Sequence, residues 1–326
     1  MIKRFTFDDP DQNGKDDTYG MGCAGLHPDP MVSHFYYVFG AFGVEPSQWQ
    51  EIDGTVQYSN VTEGYKEALK TLAKWYKEGL IDKDFATTQN TDAINKFLNG
   101  SYGVYPAHPS YLDPNNPTGW VQIAKGNNPD AEFELFAPIT GPDGKSGTRT
   151  YGAVGDWGIM FGANTTDEQV ELAMQVGDWL NSDVDMFRMA YFGVEGEHYT
   201  MDDRGVVTPK TGFVEAEYGI KCFRTASYIN WDIFEVFTAP EVVELTKQAM
   251  DYPLIPAAAD LRQVKSLAGS AADNTELAKI ESEFFFNGIT GKIDIDQEWD
   301  TYVQRWMDLG GKALTEAAQE APRLDK

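Results

Sequence analysis

The alternation of helical and strand patterns between residues 61 and 105 is the feature that most constrains the fold. Apolar and aromatic side chains recur there at steps of three and four residues, as in an amphipathic helix: Val61, Tyr65, Leu69, Leu72 and Tyr76. Thr62 can cap this helix and Gly79 can end it. We expect a second short helix over residues 93–98, a turn at Asn99-Gly100 and a strand over residues 102–105. The succession of helix, turn and strand predicts an α/β fold.

Turn residues predict two further β structures. Asp53-Gly54 indicates a short hairpin over residues 52–58. Strands are predicted over residues 132–139 and 151–161, on either side of a turn at residues 141–144. A helix then runs from Thr166 through Leu180, with one face expected to point inward: Val170, Ala173, Met174, Val176, Gly177 and Leu180.

The rest of the chain is predicted to be largely helical, over residues 185–192, 240–250, 275–286 and 297–309. Four tryptophans at helical spacing are assigned to cores: Trp75, Trp179, Trp299 and Trp306. The module near residues 132–180 differs in rhythm from its flanks, which suggests two lobes with chain crossings near residues 129–131 and 186–191. A ligand in such a protein is expected in the cleft between the lobes, with hinge closure around it.

Charge limits the classes of partner. The chain has 51 acidic and 26 basic residues among 326, a net charge of −25. Such a charge repels nucleic acid and anionic membranes and favours cations and neutral ligands. Cys23 and Cys222 could form one disulfide, but a chain of this size does not need one. The first residues contain no apolar segment typical of a signal peptide, and no later segment is long enough to span a membrane.

An acidic loop near the start spaces oxygen side chains as a calcium loop does. Asp9, Asp11 and Asn13 alternate, the Lys15 carbonyl can follow them, and Asp17 supplies a further oxygen. Gly20 stands where an EF-hand would place a bidentate glutamate, so we expect a lone calcium loop. The alternative interpretation is a plain surface turn rich in Asp, Asn and Gly.

Other chemical motifs are weak or missing from the sequence. Residues 20–25 match GxGxxG, but no apolar strand precedes them and two prolines follow, which disfavours a dinucleotide site. The four histidines have no HExxH spacing and the cysteines form no CxxC pair, so zinc has little support. We found no GxSxG, Walker A or kinase signature.

Several aromatic residues lie in predicted loops beside glycine, aspartate or asparagine. Trp120, Trp157, Tyr228 and Trp231 are the clearest cases. Flat aromatic faces stack on the apolar faces of sugar rings, while carboxylate and amide groups meet the hydroxyls. Ordinary packing is the alternative for any one of these side chains. The candidate ligand-binding set is Trp157, Tyr228, Trp231, Trp120, His108 and Tyr36.

Taken together, these segments resemble extracellular solute-binding proteins of sugar-type ABC importers, in the large bacterial lipoprotein branch. The matching stretches are residues 9–20, 65–70, 75–82, 97–100, 192–200 and 299–311. The run Gly193-Val194-Glu195-Gly196, followed by His198-Tyr199, is the most specific of them. The resemblance implies a periplasmic-binding-protein-like two-lobed α/β fold of type II, which closes on an oligosaccharide or related solute and delivers it to an ABC permease.

The resemblance also implies a structural calcium ion, held by Asp9, Asp11, Asn13, the Lys15 carbonyl and Asp17. Thr18 departs from relatives that have an acidic residue there, so one ligand is expected to be lost to water. Members of the family begin with a signal peptide, a lipid-attachment cysteine and a longer first segment. We therefore expect an incomplete first lobe, explained by a gene fragment, a wrongly set start or a partner chain that supplies the rest.

On that basis, residues 1–130 and 187–326 would form the C-terminal lobe and residues 131–186 the returning segment of the N-terminal lobe. The expected function is non-catalytic binding, outside the cell or anchored at the outer face of the cytoplasmic membrane. Two alternatives stay open. One is a calcium-dependent extracellular carbohydrate-active enzyme, which would need a pair of carboxylates in a cleft. The other is a fragment with no function of its own.

Overall fold

The structure is a computed structural model and describes residues 1–27, 30–116, 119–148, 161–210, 235–255 and 275–322. Its helices, in chain order, are α1 Ile2–Phe7, α2 Pro30–His34, α3 Tyr36–Gly40, α4 Glu63–Lys77, α5 Asn90–Leu98, α6 Trp120–Asn127, α7 Asp167–Ser182, α8 Val184–Phe192, α9 Pro240–Met250, α10 Thr275–Ile289, α11 Ile295–Trp306 and α12 Lys312–Glu320. Its strands are β1 Tyr19–Met21, β2 Trp49–Ile52, β3 Thr55–Tyr58, β4 Tyr102–Val104, β5 Tyr199–Met201 and β6 Val207–Pro209. Among the described residues, no helix is both long and apolar enough to cross a membrane.

The chain divides into two compact units. Unit 1 comprises Met1–Ala107, Phe136–Val154 and Tyr252–Lys326, and unit 2 comprises His108–Leu135 and Gly155–Asp251. These ranges do not coincide with the predicted lobes, whose boundaries fall near residues 130 and 187. The difference has a local cause in unit 1. Thr148 pairs with Leu254 in a parallel bridge, and a Cβ on Gly141 would meet the Ala41 carbonyl oxygen at 1.7 Å.

Local signals account for the elements that were predicted most clearly. Thr62 caps α4 by accepting the Tyr65 backbone N–H, and the chain reverses after the helix at Gly79, where φ is +77°. The Asp53-Gly54 turn joins β2 to β3 in an antiparallel hairpin, with φ of 51° and 76° at its two turn residues. Two positive φ values are what a two-residue hairpin turn requires.

The parallel sheet of unit 1 brings two strand ends to one edge. β1 and β4 pair with Tyr19 opposite Tyr102 and Met21 opposite Val104. Met21 also forms a parallel bridge to Ile81 on its other side. Because the strands are parallel, the segment after β1 and the segment after β4 leave the sheet at the same edge. Tyr105 immediately follows β4 there.

The GxGxxG match is explained by packing in this region. A Cβ on Gly22 would lie 2.0 Å from the Tyr102 ring, and a Cβ on Gly25 would lie 2.5 Å from the Phe85 carbonyl oxygen. Both glycines are therefore needed for close approach within the protein itself. Packing within the protein therefore accounts for these two glycines without a bound ligand.

Unit 1 has an extensive aromatic and aliphatic core. Phe39 of α3 stacks on Tyr65 of α4, with ring centroids 5.0 Å apart, and Trp299 and Trp306 are buried as predicted. Trp75 is partly buried against the same core. Cys23 lies in this core with 0% of its surface exposed and carries a free thiol. Burial raises the pKa of that thiol well above its ordinary value.

A buried carboxylate joins three parts of unit 1. Glu281 of α10 accepts hydrogen bonds from Trp306 Nε1 at 2.7 Å, Asn60 Nδ2 at 2.8 Å and the Tyr58 hydroxyl at 3.3 Å. The Trp306 ring stacks on Tyr58, with centroids 5.1 Å apart. Glu281 thus connects α10, the end of α11, and β3 with the segment after it, through bonds that satisfy its buried oxygens.

Unit 2 packs α8 against a small hairpin formed by β5 and β6. Phe187, Tyr191, Tyr199, Val207 and Phe237 form its core. The predicted family-like stretch at residues 192–200 forms the turn that leads into β5. His198 Nδ1 accepts the Val194 backbone N–H at 2.8 Å and so holds this turn in place.

Three predictions about residues 132–180 were wrong. Residues 132–139 form no strand, although their alternation of acidic and apolar residues has the strand period. Helix α7 forms as predicted, with Thr166 and Gln169 in a capping box, but of the predicted inward face only Leu180 is buried. Trp179, assigned to a core, is 53% exposed. The spacing of apolar residues places them on one face of a helix or strand. It does not provide another surface for that face to pack against. The predicted strand at residues 151–161 lies outside the described residues except at Phe161.

Candidate functional site

The acidic loop is organised by Asp9. Its Oδ1 accepts the Asn13 backbone N–H at 3.1 Å and its Oδ2 accepts the Gly14 backbone N–H at 2.9 Å. The hydrogen bond from Gly14 is the main reason why the pKa of Asp9 lies below its ordinary value. Gly14 has a φ of 75°, which allows the chain to turn sharply at this point.

Asn13 gathers the remaining oxygen groups of the loop. Its side-chain Nδ2 donates to Asp11 Oδ2 at 2.8 Å and to Asp17 Oδ1 at 3.1 Å. Its Oδ1 accepts the Lys15 backbone N–H at 2.8 Å. The structure therefore brings Asp11, Asn13 and Asp17 together, with Asp9 holding the backbone beside them. Within the described ranges, no three His, Cys, Asp or Glu side chains form a metal centre by themselves, so a cation here would also need amide or carbonyl oxygen.

Thr18 has a structural partner elsewhere. Its hydroxyl donates to the Phe5 carbonyl oxygen at 3.0 Å and its side chain is buried. The neighbouring strand residue Gly20 donates its backbone N–H to Thr6 Oγ1 at 2.9 Å. These bonds fix β1 to α1, so the side chain at position 18 serves the sheet and not the loop.

A second group of chemically active side chains lies at the carboxyl edge of the parallel sheet. The His34 ring meets the His27 ring edge-on, with centroids 5.4 Å apart, and meets the Tyr105 ring at the same distance. Tyr105 also stacks on Phe97 and donates its hydroxyl to Asn90 Oδ1 at 3.2 Å. We call His27, His34 and Tyr105 the strand-end cluster.

His34 is only 3% exposed. Within the part of the chain that the structure describes, neither ring nitrogen has a hydrogen-bond partner. Burial, and secondarily the neighbouring His27, lower the pKa of His34 to about 4. The imidazole is therefore neutral at physiological pH, with one N–H donor and one acceptor nitrogen.

Unit 2 contains an aromatic platform formed by Tyr111 and Trp120. The two rings stack with centroids 4.4 Å apart and planes at 20°. Trp120, predicted to face a ligand, is only 8% exposed, whereas Tyr111 is 49% exposed. His108 Nδ1 accepts the Ser110 backbone N–H at 3.2 Å and so begins the short helical turn Pro109–Leu112 that carries Tyr111. Trp120 thus supports the platform, and Tyr111 presents its surface.

The other predicted ligand-binding residues are dispersed or undescribed. Tyr36 belongs to unit 1, where it is half-buried and packs edge-on against Tyr37 at 5.7 Å. Trp157, Tyr228 and Trp231 lie outside the described residues, as does Cys222. Sequence reasoning missed Tyr111 and the strand-end cluster. The signal for Tyr111 was an aromatic side chain shortly before Trp120 in a stretch rich in proline and asparagine. The signal for His34 was an imidazole among core aromatics.

Comparison with known proteins places this arrangement in a family. The family model for bacterial extracellular solute-binding proteins matches residues 5–186. The polygalacturonan/rhamnogalacturonan-binding protein YtcQ of Bacillus subtilis (strain 168) is 24% identical over 326 residues, which cover 98% of this chain and 62% of YtcQ. The chain therefore spans less than two thirds of the length of that relative.

Two solved structures share the fold. The alginate-binding protein AlgQ2, solved without calcium ion, has a TM-score of 0.65 and 17% identity over 98% of this chain and 66% of its own. The Streptococcus pneumoniae ABC-transporter substrate-binding protein FusA was solved as an EF-hand mutant in complex with fructo-nystose. It has a TM-score of 0.60 and 18% identity, over 98% of this chain and 65% of its own. The predicted solute-binding-protein fold of the α/β class is confirmed, and this chain belongs to the bacterial extracellular solute-binding proteins.

Proposed function

We propose that the protein is an extracytoplasmic binding protein that captures an oligosaccharide or a related solute and delivers it to the permease of an ABC importer. The observation that carries this proposal is the Tyr111–Trp120 platform, whose outer ring is exposed in a member of a solute-binding family. Sugar rings present apolar faces that stack on such a surface. YtcQ, AlgQ2 and FusA are each described as binding or containing a saccharide, which supports the same class of ligand. The family membership supports a location outside the cytoplasm.

Titration calorimetry of the complete protein against a panel of oligosaccharides tests this proposal. For the sugar that binds, we expect Tyr111→Ala to weaken binding about five-fold or more. Stacking on an aromatic ring contributes roughly 1 kcal/mol beyond its buried area, and each 1.4 kcal/mol is a factor of about ten. Tyr111→Phe keeps the ring and serves as the matched control, with an affinity close to that of the unchanged protein. Absence of heat with every sugar would count against a saccharide ligand.

We further propose that the acidic loop holds a structural calcium ion through Asp9, Asp11, Asn13, Asp17 and the Lys15 carbonyl. The donors fit calcium, which prefers carboxylate, amide and carbonyl oxygens. A half-turn of the Asn13 side chain exchanges its amide nitrogen for its oxygen, so the atom now directed at Asp11 and Asp17 can be replaced by an acceptor. The descriptions of AlgQ2 and of the FusA mutant, which mention calcium and an EF-hand, support the proposal for this chain.

Melting experiments with and without chelator test the calcium site. Calcium at about a hundred times its dissociation constant should stabilise the folded protein by about 2.7 kcal/mol, so EGTA should lower the melting temperature by several degrees. Asp11→Ala should remove this difference. Asp16→Asn, which changes an exposed neighbouring acid outside the proposed ligand set, should keep it. Equal melting temperatures in calcium and in EGTA would leave the loop as a plain turn.

A further inference from the structure

The strand-end cluster lies where parallel sheets commonly receive ligands. His27 belongs to the segment that follows β1, and Tyr105 directly follows β4. His34 contacts both rings. In open α/β sheets, ligands bind beyond the carboxyl ends of the strands, because the loops there converge from different parts of the chain. His27 is half-buried and more exposed than His34, so it is the member of this pair nearer to solvent.

His34 is an unusual residue to leave without hydrogen bonds. It is more than nine-tenths buried, and both ring nitrogens lack a partner among the described residues. Buried polar atoms are nearly always hydrogen-bonded, since an unsatisfied one costs about 1–3 kcal/mol. An apolar side chain of similar size would avoid this cost. The imidazole therefore has an unused donor and an unused acceptor close to a strand edge that suits a ligand.

The chemistry of a neutral imidazole selects among ligand groups. One nitrogen donates and the other accepts. Hydroxyl groups can both accept and donate, so vicinal sugar hydroxyls satisfy both nitrogens. A carboxylate only accepts and an ammonium group only donates, so each leaves one nitrogen unsatisfied. The net charge of −25 further disfavours an anionic ligand.

We propose that His34, flanked by His27 and Tyr105, is a subsite that binds the hydroxyl groups of a neutral saccharide. The proposal rests on the function proposed above, and it narrows the ligand from oligosaccharides in general to uncharged ones. His34 supplies the donor and acceptor, and the Tyr105 and His27 rings hold it in position at the sheet edge. The uronate polymers named for YtcQ and AlgQ2 would then be poorer ligands for this chain.

Two variants of His34 test the subsite through calorimetry. The ligands are maltotriose, xylotriose, β-1,4-galactotriose and trigalacturonate. We expect a neutral trisaccharide to bind, and His34→Leu to weaken it about ten-fold or more through the loss of two hydrogen bonds. The same variant should melt at the same or a higher temperature without sugar, because an unsatisfied buried group has been removed. His34→Gln retains a donor and an acceptor and should bind within about three-fold of the unchanged protein.

Imidazole nitrogen NMR of the unchanged protein provides a second readout that does not depend on a variant folding. The His34 resonances are assigned by their loss in His34→Gln. Their chemical shifts should change when the trisaccharide that binds in calorimetry is added. Those of His198, which lies in unit 2 and holds a turn, should stay in place.

Different failures separate the two proposals. Binding of a neutral sugar with unchanged affinity in His34→Leu and with unmoved His34 resonances would overturn the subsite and leave the proposed function intact. If trigalacturonate bound more tightly than every neutral sugar, the restriction to uncharged saccharides would be overturned. The saccharide function itself would stand. If none of the four sugars bound, the subsite and the saccharide function would fail together.

Discussion

Asp82 shows how one buried charge organises the edge of the parallel sheet. It is 2% exposed and accepts hydrogen bonds from Lys96 Nζ at 2.7 Å and from the Tyr102 hydroxyl at 2.5 Å. Burial by itself raises the pKa of Asp82, but these hydrogen bonds outweigh it and the pKa lies below the ordinary value. Asp82 directly follows Ile81, which pairs with Met21 of β1. Its hydrogen bonds therefore link this segment to α5 and β4.

The lowered pKa of Asp82 predicts a defined pH dependence. A carboxyl whose pKa is lower in the folded than in the unfolded protein stabilises the fold above the unfolded value, about 3.9, and loses that effect as pH falls through the folded value. At pH 7, Asp82→Asn should cost about 1–2 kcal/mol, allowing for the partial exposure of Lys96. Urea denaturation between pH 7 and pH 3 measures the difference.

The difference between Asp82→Asn and the unchanged protein should be constant near neutrality and should shrink below about pH 4. Asp92→Asn, which alters an exposed carboxylate in α5, is a suitable control because it leaves the Asp82 hydrogen bonds in place. A difference that stayed constant down to pH 3 would show that the charge of Asp82 is not what stabilises this edge.

Single residues also show why the site was only partly predictable. Trp120 was predicted to stack on a ligand from a loop, but it begins helix α6 and Tyr111 covers its ring. Which of the two stacked rings faces solvent depends on how the turn that carries Tyr111 packs against α6, a contact between neighbouring segments. His34 gave still less warning, because its lack of a partner becomes visible only when the surrounding side chains are placed.

At the scale of elements, sequence patterns were reliable where the signal was local. Helix α4 begins after Thr62 and the hairpin turns at Asp53-Gly54, as predicted, because capping and turn chemistry act within a few residues. The strand predicted at residues 132–139 failed for the opposite reason. A strand needs a pairing partner that its own sequence does not encode, and among the described residues it has none.

The hairpin allows a test of backbone conformation alone. Gly54 has a φ of 76°, and a Cβ placed on it would meet nothing within 4 Å. Gly54→Val should therefore destabilise unit 1 by about 1–2 kcal/mol, from the left-handed backbone rather than from a steric clash with neighbours. Gly54→Asn is the matched control, since asparagine tolerates this region and should cost less. Chemical denaturation of the two variants gives the comparison, and equal losses would contradict the conformational explanation.

The whole molecule is governed by its charge. Twice as many acidic as basic residues give a net charge of −25, and like charges on a compact surface repel one another. Raising sodium chloride from about 20 mM to about 200 mM shortens the screening distance several-fold from roughly 20 Å. We expect the melting temperature to rise by about 2–5 °C.

Two conditions isolate this salt effect. Protein and buffers freed of calcium beforehand keep calcium from contributing. A parallel series near pH 4.5, close to the pI of about 4.4, supplies a state with almost no net charge. Salt should have little effect there. The same rise at both pH values would mean that salt acts by another route, such as stronger burial of apolar groups.

At this scale, the order of motifs along the chain predicted the family and the fold, because short stretches such as residues 9–20 and 192–200 carry enough information to be matched one by one. The division into compact units was harder to predict. It depends on contacts such as Thr148 with Leu254, between residues more than a hundred positions apart.

Because Cys23 is buried, the reactivity of its thiol reports how often the core of unit 1 opens. A thiol with no exposed surface and a raised pKa cannot react with an alkylating reagent while the core of unit 1 is closed. Its modification therefore proceeds at a rate set by how often that core opens. Pulsed alkylation, with the Cys23 peptide followed by mass spectrometry, would time this opening without a mutation. Slower labelling in the presence of a sugar or of calcium would then measure how strongly each one holds the folded state together.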